Sequence, residues 1–282
     1  MSRRLSFLGS LYALLPALAL SAFCAATAAA GGGGETFRPA DAADRIAEAA
    51  ARSVPYLRSS GTGTSLRVAV IGDSMADGLY SGLYRLMKDD KRLALVKKTK
   101  VNTGIVRRDR YDWNEAARSI ATSKEFDVAV VVLGTNDLQS IREGGKAYHF
   151  RQPDWEQRFR ERIDDIIVSL KDEDIALYWV GLPITRKDRY QADYAYVNGF
   201  FRSEAERHGI KFVETWDNFA DENGDFSLYG SDGNGKNIRL RADDGVHFTP
   251  EGYQMYASVV AEVMKQDLAS AACAVDAAVC GN

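Results

Sequence analysis

Hydrophobic runs of strand length recur along this chain, separated by longer stretches with helical amphipathic spacing, and this alternation narrows the possible folds most. The strand-length runs cover 66–71, 96–101, 128–133, 175–180 and 210–213. The stretches 79–87, 113–122, 155–170, 194–208 and 250–268 carry apolar residues at helical period. Strands linked through helices pair in parallel, so the expected architecture is α/β: a three-layer α/β/α sandwich on a parallel five-stranded sheet. The first, third and fourth runs are nearly all apolar, as strands covered on both faces must be. The second carries Lys97, Lys98 and Lys100, which places it toward an edge. Residues 217–244, rich in Gly, Asn and Asp, break the alternation and read as an irregular hairpin-like excursion.

The flanks have a different character. Residues 1–30 combine Arg3 and Arg4, an apolar stretch over 5–23, and small residues at Ala28, Ala29 and Ala30. This is the pattern of a cleaved signal peptide, so the expectation is export to the periplasm, with no membrane insertion after cleavage. A retained anchor is the alternative, because the apolar stretch is about as long as the shortest spanning helices. A linker containing Gly31 to Gly34 and a short helix over 41–52 fill 31–65, the main domain covers 66–270, and 271–282 form a tail. Of the three cysteines, Cys24 leaves with the signal. Cys273 and Cys280 then form an even pair in an exported chain, which predicts a disulfide closing a small loop. Two cysteines lack the second ligand pair of a zinc site, and no register near Asp221 meets the calcium-loop pattern, so no metal is expected. A formal net charge of −3 gives no pull toward nucleic acid.

Chemistry is concentrated at the ends of the strand-length runs. Ser74 follows the first run, in Gly72-Asp73-Ser74, and Asp244 and His247 lie three residues apart near the end of the chain. A serine hydroxyl attacks a carbonyl at neutral pH when an imidazole takes its proton and a carboxylate fixes that imidazole's tautomer. Ser74, His247 and Asp244 are the candidates for these roles. The other two histidines have plainer readings: His208 ends a helical stretch, where a cation is favourable, and His149 lies in a polar loop. Attack also needs donors aimed at the developing oxyanion, and three strand ends offer them: the N–H of Ser74, the N–H of Gly104 and the side-chain amide of Asn136. Taken singly, Gly-Asp-Ser, Gly134-Thr135-Asn136-Asp137 and Asp244-Gly245-Val246-His247 are ordinary turns; their joint occurrence at successive strand ends is what points to catalysis.

In order and context these segments resemble the four blocks of the SGNH/GDSL hydrolase superfamily, specifically its exported bacterial branch. Met75 stands where that family usually has leucine. The resemblance covers roughly 67–264 and implies a flavodoxin-like sandwich. It also implies Ser74 as nucleophile, Asp244 and His247 completing the triad, Ser74, Gly104 and Asn136 as oxyanion donors, and no cofactor.

Around these blocks the loops are basic, with Arg107, Arg108 and Arg110, then Arg142, Lys146 and Arg151, then Arg186, Lys187 and Arg189. Arg107, Arg108, Arg142 and Arg186, with Asp73, are candidate substrate contacts, since arginine forks grip carboxylates and phosphates. Pairing with Asp109, Asp112, Glu143 and Asp188 is the plainer alternative. Tyr111, Trp113, Tyr148, Trp155, Tyr190 and Tyr194 are candidates to stack on sugar rings or to close over a core. The expected function is an exported serine esterase removing O-acetyl or other small acyl groups from an envelope carbohydrate, peptidoglycan or a periplasmic glycan. An O-acyltransferase with the same triad and a non-catalytic glycan-binding scaffold are the alternatives.

Overall fold

The computed structural model describes residues 55–57, 65–186, 188–232 and 234–275. The segments expected as signal peptide, glycine run and N-terminal helix lie outside the described residues, as does Cys280; Cys273 falls on the last helix.

Five strands form the parallel sheet: β1 (Leu66–Gly72), β2 (Leu93–Thr99), β3 (Val128–Val132), β6 (Ala176–Val180) and β7 (Lys211–Val213), in the order β2-β1-β3-β6-β7. All neighbouring pairs are parallel. Helices α1 (Ser74–Met87), α2 (Trp113–Thr122), α3 (Pro153–Lys171), α4 (Asp188–His208) and α5 (Pro250–Val275) cover its faces. The period-2 alternation of the strands sorts the core into two halves. Ala69, Ile71, Ala129 and Val131 pack with Trp113 of α2, Trp155 and Phe159 of α3 and Phe201 of α4. Val68, Val70, Val128 and Val130 face the other way, onto Leu79 and Leu83 of α1 and Tyr256 and Val260 of α5. Both faces are therefore dry, which is why these strands read as unbroken apolar runs. This is the expected flavodoxin-like sandwich.

Several boundaries differ from expectation for identifiable reasons. The second strand begins at Leu93, not at 96, because its register against β1 pairs Leu93 with Leu66. It ends at Thr99, and Val101, expected inside it, is half exposed where the chain turns through Asn102 at φ +59°. It does lie at the sheet edge, as its lysines suggested. Helix α1 starts at Ser74, five residues before the expected Leu79, since Asp73 caps it and Met75 and Ala76 already belong to its buried face. The excursion before the histidine loop contains a short hairpin, β8 (Tyr229–Ser231) with β9 (Asn237–Arg239). A second hairpin, β4 (Ile141–Glu143) with β5 (Lys146–Tyr148), was not expected, although Gly144-Gly145, both at positive φ, is a strong two-residue turn signal. Among the described residues no helix is long and apolar enough to cross a membrane.

Candidate active site

The site sits at the carboxyl ends of β1 and β3, where the strand order reverses and open sheets leave a crevice. The turn out of β1 requires glycine: Gly72 has φ +142°, and a Cβ there would lie 1.8 Å from the Val132 carbonyl oxygen. Asp73 follows as N-cap, its Oδ1 accepting from the Met75 N–H at 2.9 Å. Ser74 is thereby the first residue of α1, with its hydroxyl at the positive end of the helix dipole.

The loop before α5 brings the imidazole to it. Ser74 Oγ lies 2.8 Å from His247 Nε2, and His247 Nδ1 lies 2.6 Å from Asp244 Oδ2. The other Asp244 oxygen accepts from the N–H groups of Val246 and His247 at 2.8 and 2.9 Å. Burial works against the charge on Asp244, but the His247 hydrogen bond and these two backbone donors outweigh it and hold the carboxyl below its ordinary range. The loop is gripped from beneath by Arg241, a fully buried guanidinium that donates to the Val246 and Ile184 carbonyls at 2.9 and 2.5 Å. Burial lowers Arg241 to about 9, and its guanidinium lies 3.8 Å over the Phe248 ring.

The three candidate oxyanion donors stand at the ends of β1 and β3 and in the Gly104 loop. The N–H groups of Ser74 and Gly104 make no hydrogen bond within the described residues. Asn136 Nδ2 donates to the Thr103 carbonyl at 2.8 Å, which ties the end of β3 to the Gly104 loop and leaves its second hydrogen with only 3.4 Å contacts. The Gly104 loop is clamped from both sides. Asp137, fully buried, accepts from the Ile105 and Val106 N–H groups at 3.0 and 2.8 Å, and Arg162 on α3 donates to the carbonyls of the same two residues at 2.9 and 3.0 Å. Position 104 admits no side chain, since a Cβ would lie 2.4 Å from Asp137 Oδ1. Burial pushes the Asp137 carboxyl up to about 6 against the pull of those N–H groups and Arg162.

Residues 67–263 match a family described as a protein of unknown function, DUF459. The chain belongs to the DUF459 family. Its fold is that of the SGNH/GDSL hydrolase superfamily. A GDSL-like lipase from Bacteroides thetaiotaomicron VPI-5482 superposes with a TM-score of 0.52 at 16% identity, over 79% of this chain and 97% of that one. An acetyl xylan esterase gives 0.52 at 16% identity, over 70% and 99%. An α/β hydrolase from the metagenome of Lake Arreo, Spain, gives 0.51 at 17% identity, over 78% and 99%. No curated protein matches the chain significantly.

In this DUF459 chain the serine, the histidine, Asp244 and Asn136 open on a cavity of about 300 Å³ walled by Leu138, Tyr190, Tyr194 and Val246. A larger cavity of about 460 Å³ lies at the opposite edge of the sheet, by the starts of β1, β3 and β6, and contains none of these groups. Of the six aromatic candidates, Tyr190 and Tyr194 reach the crevice. Trp113 and Trp155 belong to the core, Tyr111 packs edge-on against Trp113, and Tyr148 lies under Arg158.

The candidate substrate contacts divide in the same way. Asp73 is not one: it is fully buried, where Thr135 Oγ1 donates to it at 2.6 Å, so it supports the turn. Burial pushes its carboxyl up to about 7, against the hydrogen bonds from Thr135 and Met75. Arg108 turns away to Asn114, Asp112 and Glu143, and Arg186 donates to the Asp243 carbonyl, so both serve the scaffold. Arg142 is exposed on β4 and lines neither the serine cavity nor its neighbour. Lys187 and the side chain of Arg189 lie outside the described residues. Arg107 lines a second, polar pocket beside Gly104 and Asn136. Asp164, Glu204 and His208 converge closely enough to ligate a cation, but Arg160 and Arg207 already pair with these carboxylates, making the group an ion-pair network.

Proposed function

We propose that this chain is an exported serine esterase that removes small acyl groups, O-acetyl above all, from an envelope carbohydrate. The observation that carries the reading is the continuous relay from Ser74 Oγ through His247 to Asp244. Ser74 Oγ attacks the ester carbonyl as its proton passes to His247 Nε2, and the N–H groups of Ser74 and Gly104 with the Asn136 amide hold the oxyanion. The tetrahedral species expels the sugar alkoxide, which takes the proton from His247. Water, deprotonated by the same imidazole, then cleaves the acyl-enzyme and releases the acid.

A short acyl group suits the crevice, whose roughly 300 Å³ is shared between both sides of the ester. Tyr190 and Tyr194 offer ring faces to a sugar, and one similar structure is named an acetyl xylan esterase. Arg3, Arg4 and the apolar stretch after them support export. A complete relay is of no use to a protein that only binds, which favours turnover over the scaffold alternative. A panel of p-nitrophenyl esters of increasing chain length tests the reading: acetate is cleaved fastest, and Ser74→Ala lowers kcat by at least ~10⁴-fold. Preference for long chains would replace the glycan with a lipid. Mass gained by an oligosaccharide incubated with an acyl donor would make the protein a transferase.

A further inference from the structure

Beside the serine cavity lies a second pocket of about 200 Å³, and its lining has an unusual charge balance. Asn102, Gly104 and Asn136 form the wall toward the reaction centre, and Arg107, Arg110 and Gln139 form the rest with Thr103. Asn102 and Asn136 also line the serine cavity, so the two spaces adjoin across these two residues. No carboxylate lines the second pocket.

The turn that follows Gly104 sorts its three arginines. The Arg110 N–H bonds to the Arg107 carbonyl at 2.9 Å, and residues 107 and 110 come to one side while Arg108 goes to the other, onto Asn114. Arg107 is neutralised by a two-pronged pair with Asp109, at 2.7 and 2.6 Å. Arg110 makes no ion pair or side-chain hydrogen bond within the described residues. Arg110 is therefore an exposed guanidinium without a bonded partner, sharing the field of Asp109, that lines this amide-rich pocket next to the proposed oxyanion hole. Asn102, in the left-handed region at φ +59°, is a non-glycine residue held in an uncommon conformation where the two spaces meet.

We propose that this pocket is a subsite for an oxyanion carried by the substrate, a carboxylate or a phosphate, gripped by Arg110 with the amides of Asn102 and Gln139 assisting. The reading rests on the esterase assignment above and sharpens it: the acylated carbohydrate is an acidic sugar. A planar guanidinium binds either anion through paired N–H groups, and amides complete the shell without adding charge.

Three acetate esters of matched sugars test it: a neutral hexoside, a hexuronate and a hexose phosphate. The wild-type chain should cleave at least one anionic ester with kcat/KM on the order of tenfold above the neutral one, as expected for a charge-assisted hydrogen bond. Arg110→Ala should erase that difference, and Arg110→Lys should retain part of it. Whichever anionic ester is favoured identifies carboxylate or phosphate as the source. Equal kcat/KM for all three esters, or an Arg110→Ala loss of the same size on each, would overturn the subsite while leaving the esterase intact. If no ester is cleaved, the esterase reading fails and calorimetry still decides the subsite. Glucuronate or glucose 6-phosphate should then bind wild type more tightly than methyl glucoside, by a margin that Arg110→Ala removes; no such margin overturns it.

Discussion

At the scale of single residues, the site depends on side chains that would never touch a substrate. Asp137 and Arg162 hold the Gly104 loop by its N–H groups and by its carbonyls, and the proposed oxyanion donor at Gly104 is only as well placed as that loop. Asp137→Ala should therefore lower kcat by ~10²-fold, the order of losing one oxyanion donor, while KM changes little. Asp137→Asn, which keeps one acceptor oxygen, should recover part of the loss; an effect on KM alone would show that the clamp serves binding. Asp244→Asn should lower kcat by ~10⁴-fold, because an amide no longer selects the histidine tautomer that accepts the serine proton. Ser74, Gly104 and Asn136 could be picked out in the sequence because each follows a strand of the sheet, and Asp244 and His247 because they lie three residues apart just ahead of the last helix; the structure joins Ser74, His247 and Asp244 in one chain of hydrogen bonds. Asp137, Arg162 and Arg241 could not be, because their roles lie in what a buried group touches. One signal was present for Arg162: it falls among Phe159, Ile163 and Ile166, on the apolar stripe of its helix, where a cation needs a reason.

The elements themselves were legible in proportion to how evenly they are buried. β1 and β3 pack on both faces and show as unbroken apolar runs, and α2 appears at its observed limits because Asp112 caps it and its apolar stripe fills its whole length. β2 was misplaced by three residues because an edge strand bearing lysines has no continuous signal, and its register is set by β1. The start of α4 is likewise hidden, since Tyr190 in its first turn lines the crevice and its core residues begin at Tyr194. Arg241 holds the loop that carries His247 from beneath, beside the bonds from Thr185 and Arg186, and Arg241→Met should leave the Val246 and Ile184 carbonyls buried without its donors. The expected cost is about 2–4 kcal/mol of stability, read from a denaturant melt, with activity falling further than the folded fraction. Equal losses of activity and folded chain would mean that Arg241 supports the fold but not the geometry of the histidine.

Over the whole molecule, a sheet buried on both faces with the chemistry at its switch point links stability to pH. Asp73 and Asp137 are buried beside that crevice, where burial pushes their carboxyls from the ordinary 3.8 up to about 7 and about 6. Between about pH 4 and about pH 7 the folded chain keeps protons that the unfolded chain has lost, so stability falls as pH rises through this window and levels above it. Asp73→Asn should flatten part of that fall in melting temperature; an unchanged slope would assign the linkage to other groups. Folding brings a distant serine and histidine within 2.8 Å, and the proposed mechanism makes them one nucleophile. The most direct measurement is peptide mass mapping after reaction with a fluorophosphonate probe, on the wild-type chain and on His247→Ala. One adduct per chain, on Ser74, formed far more slowly without the imidazole, is the result the relay requires; an unlabelled Ser74, or labelling indifferent to His247, would contradict it.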